Sequence, residues 1–219
     1  MKNKEKNKKA LETSKENFAR QKALGNETRF LMTKSHHKET FEKARIEGKM
    51  DKDFIPFCKY IASTKNYFTS SCCAGRIALI SLDEEESKKT SAFYRKWHRK
   101  VSEKEIMKAI NDFDGEVLWF KQEPIILHLG TNTLDNARKI LVFCEKCGIK
   151  RSGIKVAKEG RFIVEMVGTQ NITLPIKEKG KLFTSEKYLD YLIKKANKKF
   201  WVNQELLKKM LKEAKTTLK

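Results

Sequence analysis

Ten residues, Tyr67-Phe68-Thr69-Ser70-Ser71-Cys72-Cys73-Ala74-Gly75-Arg76, bring together two aromatics, three aliphatic hydroxyls, two thiols, a glycine and an arginine. Small polar side chains around a glycine let a ligand come close to the backbone and offer donors to an anion or to the edge of an adenosine. Arg76, just after Gly75, adds a planar fork of donors suited to carboxylate or phosphate. A strand-turn-strand corner with satisfied hydroxyls would use the same residues, so the local pattern alone leaves both readings open.

A second stretch, residues 92–101, interleaves Phe93, Tyr94 and Trp97 with Arg95, Lys96, His98, Arg99 and Lys100. Aromatics beside cations suit stacking on bases next to phosphate contacts. They equally suit an edge strand that its charges protect from pairing. Cys144-x-x-Cys147 has the spacing of a zinc or redox pair. Zinc needs four ligands, normally from two such pairs, and a redox pair belongs at a helix start, whereas this one closes a helix. Buried structural cysteines are therefore expected, and no metal site. No glycine fingerprint of the dinucleotide or phosphate-loop type follows a strand.

The elements that must position these residues follow from periodicity and punctuation. A lysine-rich helix is expected over 1–24, with Leu11, Phe18 and Leu24 on its apolar side and Gly25 as its stop. A second helix follows from Thr28 to Glu47, carrying Phe30, Leu31, Phe41 and Ile46 and the His36–His37 pair, whose imidazoles read as solvated. A third, capped by Asp51 or Asp53, holds Phe54, Ile55, Phe57, Tyr60 and Ile61. The focal stretch leads into an apolar strand, Arg76–Leu82, and residues 83–86 read as a charged loop. Ser102 and Glu105 form a capping box for a helix through Ile110. Strands are expected on both sides of Pro124, which marks a break or an edge. A helix from Thr133 to Cys147 is stopped by Gly148, with Leu134, Ala137, Ile140, Leu141 and Cys144 inward. A hairpin turns at Glu159-Gly160, and a short strand spans Ile172 to Ile176. From Ser185 a lysine-rich helix places Tyr188, Leu192, Phe200, Trp201, Leu206, Leu207 and Met210 on one apolar side.

The 219 residues are 35% charged with a formal net charge of +20. Residues 1–50 hold 14 basic against 7 acidic side chains, and residues 177–219 hold 13 against 5, so the ends carry most of the excess. Such an excess points to a polyanion, most simply nucleic acid, gripped by the ends around a nearer-neutral core. No run approaches the roughly 18 apolar residues of a membrane helix, and no apolar leader follows Met1. A cytoplasmic protein with five reduced cysteines is expected. The fold class that emerges is α+β: a central mixed or antiparallel sheet with flanking helices, not a doubly wound sheet. A basic helical extension, 1–26, precedes a single domain, 27–219, whose part from 177 onward is basic and helical.

Several segments in register carry a more specific signal: Tyr67 to Ile77, Trp97-His98-Arg99, Leu118 to His128, Gly148 to Gly153, Val164-Glu165 and Pro175. In order and spacing they resemble the tRNA wybutosine-synthesising protein 3 family, over roughly residues 27–219. Its members, in archaea and eukaryotes, are S-adenosylmethionine-dependent methyltransferases without the doubly wound methyltransferase fold. They methylate a ring nitrogen of the tricyclic base beside the anticodon of phenylalanine tRNA. The resemblance implies S-adenosylmethionine as cofactor, held by Ser70, Ser71, Gly75, Arg76 and Ser152. It implies the phenylalanine tRNA anticodon loop as partner, met by Trp97, Arg99, Trp119, Lys121 and Glu123. His98 and His128 are the candidate bases for removing the ring-nitrogen proton. Where the family has serine, cysteine, serine, this chain has Cys72, Cys73 and Ala74, and Trp97 directly precedes His98. Two other classes stay open at this level: a non-catalytic basic RNA-binding module, and a zinc or thiol enzyme built on Cys72-Cys73 and Cys144-Cys147.

Overall fold

A computed structural model describes the backbone of residues 2–219 and the side chains of residue 12 and residues 15–219. The expectation for Leu11 lies outside these side chains. The chain runs α1 (Lys2–Ile46), a 3-10 turn (Lys52–Phe54), α2 (Ile55–Ser63), β1 (Tyr67–Cys73), β2 (Arg76–Leu82), β3 (Ala92–Trp97) and α3 (Glu103–Asn111). It continues with β4 (Val117–Glu123), β5 (Ile126–Thr131), α4 (Leu134–Cys147), β6 (Arg151–Lys158), β7 (Arg161–Val167), β8 (Ile172–Glu178), β9 (Lys181–Leu182) and α5 (Glu186–Thr217). The α+β class holds, and the expected antiparallel sheet is present as two: β1-β5-β7-β6, and β3-β2-β4-β8-β9. All pairings are antiparallel.

Each sheet has its own core. Against the first lie Phe57 and Ile61 of α2, Ile140, Phe143 and Cys144 of α4, and Leu207, Met210 and Ala214 of α5. Against the second lie Ile106 and Ile110 of α3 together with Leu189, Leu192, Ala196 and Phe200 of α5. Helix α5 therefore braces both sheets. At 1.5 Å per residue its 32 residues span about 48 Å, enough to cross from one core to the other.

The chain passes between sheets three times, at β1→β2, at β4→β5 and at β7→β8, and the first two passages run side by side. Ser71 faces His128 before them, and Arg76 faces Glu123 beyond them. Pro124, lacking an amide donor, sits in the second passage, the break its ring imposes. Gly75 occupies the first with φ +89°, a left-handed conformation that glycine takes without a Cβ penalty. A Cβ there would stand 2.4 Å from Asn203 Nδ2 and 2.8 Å from the Glu123 carbonyl oxygen. Asn203 lies on α5 between the parts that serve the two cores, and it donates to that same carbonyl at 3.4 Å.

Several local expectations meet the structure. Ser102 and Glu105 make both halves of a capping box, and Gly148 ends α4 in the left-handed conformation; Thr133, expected as the first residue of α4, is its cap. Others are corrected. Gly25 does not stop a helix: α1 is continuous through it. Phe18, Leu24, Leu31 and Ile46 are exposed, because α1 docks through Phe30, Lys34, His37 and Phe41 instead. His37 is not simply solvated; its ring stacks on Phe68 at 4.8 Å, and burial lowers its pKa. Lys34 Nζ donates to the Thr64 and Tyr67 carbonyls, with its pKa brought down to about 8 by burial and then by Lys38. Leu134, Tyr188 and Trp201 face outward rather than inward.

Candidate active site

The first two passages between the sheets gather most of the residues that the sequence singled out. On the first sheet, Ser71, His128 and Glu165 stand on adjacent strands β1, β5 and β7, turned away from the core that takes Leu127, Leu129, Val164 and Met166. Ser71 Oγ lies 2.7 Å from His128 Nδ1, and His128 Nε2 lies 3.0 Å from Glu165 Oε2. Lys155 Nζ pairs with the other oxygen, Oε1, at 2.8 Å. The hydrogen bond from Lys155, with help from His128, holds the Glu165 carboxyl below its ordinary range, so it is ionised and can only accept. His128 Nε2 must then carry the proton it shares with Glu165. In the neutral ring this leaves Nδ1 as the acceptor for the Ser71 hydroxyl.

Beside β1, a groove against α1 is lined by His37, Thr40, Phe41, Ala44, Met50, Thr69, Ser70, Ser71 and Cys72. Ser70 is the extra residue at an irregularity in the β1–β5 register between Thr69 and Ser71. Such an insertion re-aims side chains at a sheet edge, and it puts two successive serines at the groove.

At the far side of the passage Arg76 Nε donates to Glu123, and its guanidinium stacks 4.4 Å over Phe93. Among the described residues no hydrogen bond uses the Nη edge of the fork. Arg76, Lys121, Glu123 and Trp119 lie on the face of the second sheet turned away from its core. Trp119 Nε1 donates to Glu86 at 3.0 Å. Between the passages and the second core, the amides of Gln122 and Asn203 both point at the Glu123 carbonyl. Their oxygens, Gln122 Oε1 and Asn203 Oδ1, are buried and have no hydrogen-bond partner among the described residues.

A third group adjoins the first passage. His98 Nδ1 is 2.5 Å from Asp51 Oδ1, while Asp51 Oδ2 accepts from the Ala74 amide at 2.7 Å. Cys73 Sγ completes a cluster whose ligand-type atoms lie within 4.8 Å of one another. Two donors on one zinc ion would stand roughly 3 Å or more apart given bonds near 2 Å, so the Asp51–His98 contact as it stands is a hydrogen bond. It fixes Nδ1 as donor and leaves Nε2 as acceptor.

Not every singled-out residue comes to this place. Ser152 lies opposite Met166 and bonds toward Cys144, on the core side of the sheet, whereas Gly153 is the residue opposite Glu165. Trp97 packs against the second core, on the opposite face from Trp119. Arg99 is bound through both Nη atoms to Glu105, at 2.6 and 3.2 Å, which holds that carboxyl down to about 2. Three partners escaped sequence reasoning: Asp51, read only as a cap, Glu165, met only as part of a motif, and Asn203. Their partners are 47, 37 and 80 residues away, and nothing local signals such pairs.

The cysteines do not form a reactive thiol centre. Cys144 and Cys147 are buried in the first core, their thiols pushed up to about 11 and about 12 mainly by burial. Burial and then Asp51 push Cys73 up to about 11. Cys72 is raised as well, first by its contact with Cys58, 3.8 Å away. Thiols this weakly acidic are poor nucleophiles at neutral pH.

Residues 11–216 match the family model described as Methyltransferase TYW3, and the chain belongs to that family. A curated relative from Thermococcus sibiricus is 34% identical over 184 residues, covering 84% of this chain and 93% of its own. It is named tRNA(Phe) 7-((3-amino-3-carboxypropyl)-4-demethylwyosine(37)-N(4))-methyltransferase, as is a relative from Methanocaldococcus jannaschii at 32% identity, which covers 81% of this chain and 93% of its own. Among solved structures, the PH1069 protein from Pyrococcus horikoshii superposes with a TM-score of 0.80 at 34% identity, over 85% of this chain and 97% of that one.

Proposed function

We propose that this protein is the S-adenosylmethionine-dependent methyltransferase that completes N4 methylation of the tricyclic base at position 37, in the anticodon loop of phenylalanine tRNA. The observation that carries the reading is the hydrogen-bonded chain Ser71–His128–Glu165, set beside the seam between the sheets in a chain of this methyltransferase family. A ring nitrogen must lose its proton as it takes a methyl group, and this chain provides a path for it. The proton passes to Ser71 Oγ while the Ser71 proton moves to His128 Nδ1, and ionised Glu165 stabilises the resulting imidazolium.

S-adenosylmethionine supplies an electrophilic methyl group, an amino acid end and an adenosine. The donor set suits it: Ser70 and Ser71 offer hydroxyls, and the free edge of Arg76 suits the carboxylate. Trp119 and Lys121 supply a stacking surface and a cation for the base and its phosphate. The second histidine, His98, has the arrangement of an alternative base, with Asp51 behind it and Nε2 outward. Basic α1 and α5 hold the tRNA through its phosphates.

Mass spectrometry of nucleosides from tRNA of a deletion strain tests the reading. The tricyclic nucleoside should accumulate lighter by one methylene group, and restoring the gene should reverse this. An unchanged nucleoside profile would overturn the assignment.

A further inference from the structure

The exposed side of the N-terminal half of α5 sets two large aromatics among lysines. Leu189, Leu192, Ile193, Ala196 and Phe200 turn into the second core. The opposite side carries Lys187, Tyr191, Lys194, Lys195, Lys198 and Trp201. Tyr191 is 54% exposed and Trp201 49%. Half-exposed aromatic rings present flat apolar faces on which a base can stack beside the lysines. Lys195 Nζ stands 5.0 Å over the Tyr191 ring. Trp201, Lys198, Asn197, Lys194 and Lys100 line one hollow.

The chain segment and the helix that line that hollow also reach the candidate site. Asn197 accepts from the Val101 amide at 2.9 Å and donates to the Val101 carbonyl at 2.8 Å, pinning the segment His98-Arg99-Lys100-Val101 to α5. Lys100 thus joins the hollow only two residues after His98. Further along, the same helix puts Asn203 beneath Gly75.

We infer that this stripe is a second RNA track, which binds a stretch of tRNA leading out of the site by stacking unpaired bases on Trp201 and Tyr191 and holding the intervening phosphates with Lys195, Lys198 and Lys100. The inference rests on the tRNA reading above. The partner is RNA rather than a protein or a lipid surface because aromatics alternate with cations along one line. Among the described residues the one acid paired within the stripe is Asp190, bound to Lys194. From residue 187 to 201 the stripe runs about 21 Å, room for several nucleotides.

The test uses the full chain with two double variants, Tyr191→Ala/Trp201→Ala and Lys195→Ala/Lys198→Ala. All four positions are solvent-facing on a helix, where alanine is well tolerated. Affinity for unmodified phenylalanine tRNA is measured across a salt series, with S-adenosylmethionine affinity and sedimentation run in parallel. The aromatic pair should bind tRNA at least fivefold more weakly, with its salt dependence kept. The lysine pair should lose about 1 to 1.5 from the slope of log affinity against log salt. Wild-type Trp fluorescence should be quenched by tRNA, and much less so in Trp201→Ala. If wild type binds tRNA and both variants bind it equally well, the track does not exist. A change in oligomeric state without a change in tRNA affinity would overturn it in favour of a self-association surface. Failure of wild type to bind tRNA would strike the underlying reading instead.

Discussion

Ser71 Oγ and His128 Nδ1 lie 2.7 Å apart across the β1–β5 pair, and the other ring nitrogen of His128 is committed to Glu165. The order matters: Glu165 determines which nitrogen carries the proton and leaves Nδ1 to Ser71, which in the proposed function is the group that meets the substrate. Glu165→Gln preserves shape and one hydrogen bond but removes the charge. It should lower the single-turnover methylation rate about 10- to 100-fold with little change in tRNA affinity, and shift the pH profile of the rate. A rate loss without any change in pH profile would mean that Glu165 serves only the fold.

Gly75 is held by its conformation and by its neighbours at once. Gly75→Ala puts a Cβ in the left-handed region and against Asn203 and the Glu123 carbonyl, so stability should fall by at least about 2 kcal/mol in urea unfolding. Gly153→Ala, whose Cβ would meet nothing within 4 Å, should cost much less. Equal losses at both positions would contradict the close packing at the seam.

The thiols are expected to be quiet. Because burial and Asp51 raise Cys73 from its ordinary value of 9.0 to about 11, its thiolate is scarce at pH 7 and becomes abundant only as pH approaches 11. Alkylation by iodoacetamide should therefore be slow at neutral pH and climb roughly tenfold per pH unit toward that value. Cys72→Ser/Cys73→Ser should keep most methyl transfer. Near-total inactivation with a normal fold would revive a thiol mechanism.

Arg76→Lys retains the charge and loses the fork. If the Nη edge clamps the cofactor's carboxylate, S-adenosylmethionine affinity should drop about tenfold or more by calorimetry. Normal cofactor affinity would move the clamp elsewhere.

Removal of residues 1–24 leaves the docking contacts of Phe30, Lys34, His37 and Phe41 in place while taking off much of the basic part of α1. Binding of tRNA should weaken at low salt, the difference should shrink as salt rises, and S-adenosylmethionine binding should not change. Unaltered affinity at every salt concentration would exclude a phosphate role for that segment.

Local chemistry made much of the fold legible. The caps at Ser102 and Gly148, the turn at Glu159-Gly160 and the break at Pro124 each act within a few residues, and each is where the sequence places it. What the sequence hid is long-range. Pro124 marked a break, but not that the strands on its two sides belong to different sheets. Gly25 suggested a stop because glycine often ends helices, yet α1 runs through it without a left-handed residue. Tyr188 and Trp201 fit an apolar periodicity that includes Leu192 and Phe200, and only packing shows that they lie outside it. At the site, the motif residues Ser71, Arg76, Glu123, His98 and His128 were readable as types. Their pairing with Asp51, Glu165 and Asn203 depends on strand order and on the path of α5.

The most direct test is single-turnover methyl transfer by the purified protein from S-adenosylmethionine to phenylalanine tRNA carrying the unmethylated tricyclic base, comparing wild type with His128→Gln. The account expects wild type to place one methyl on N4, and His128→Gln to bind cofactor normally but react at least about 100-fold more slowly. A normal rate in His128→Gln would contradict the Ser71–His128 proton path, and no transfer by wild type would contradict the proposed function itself.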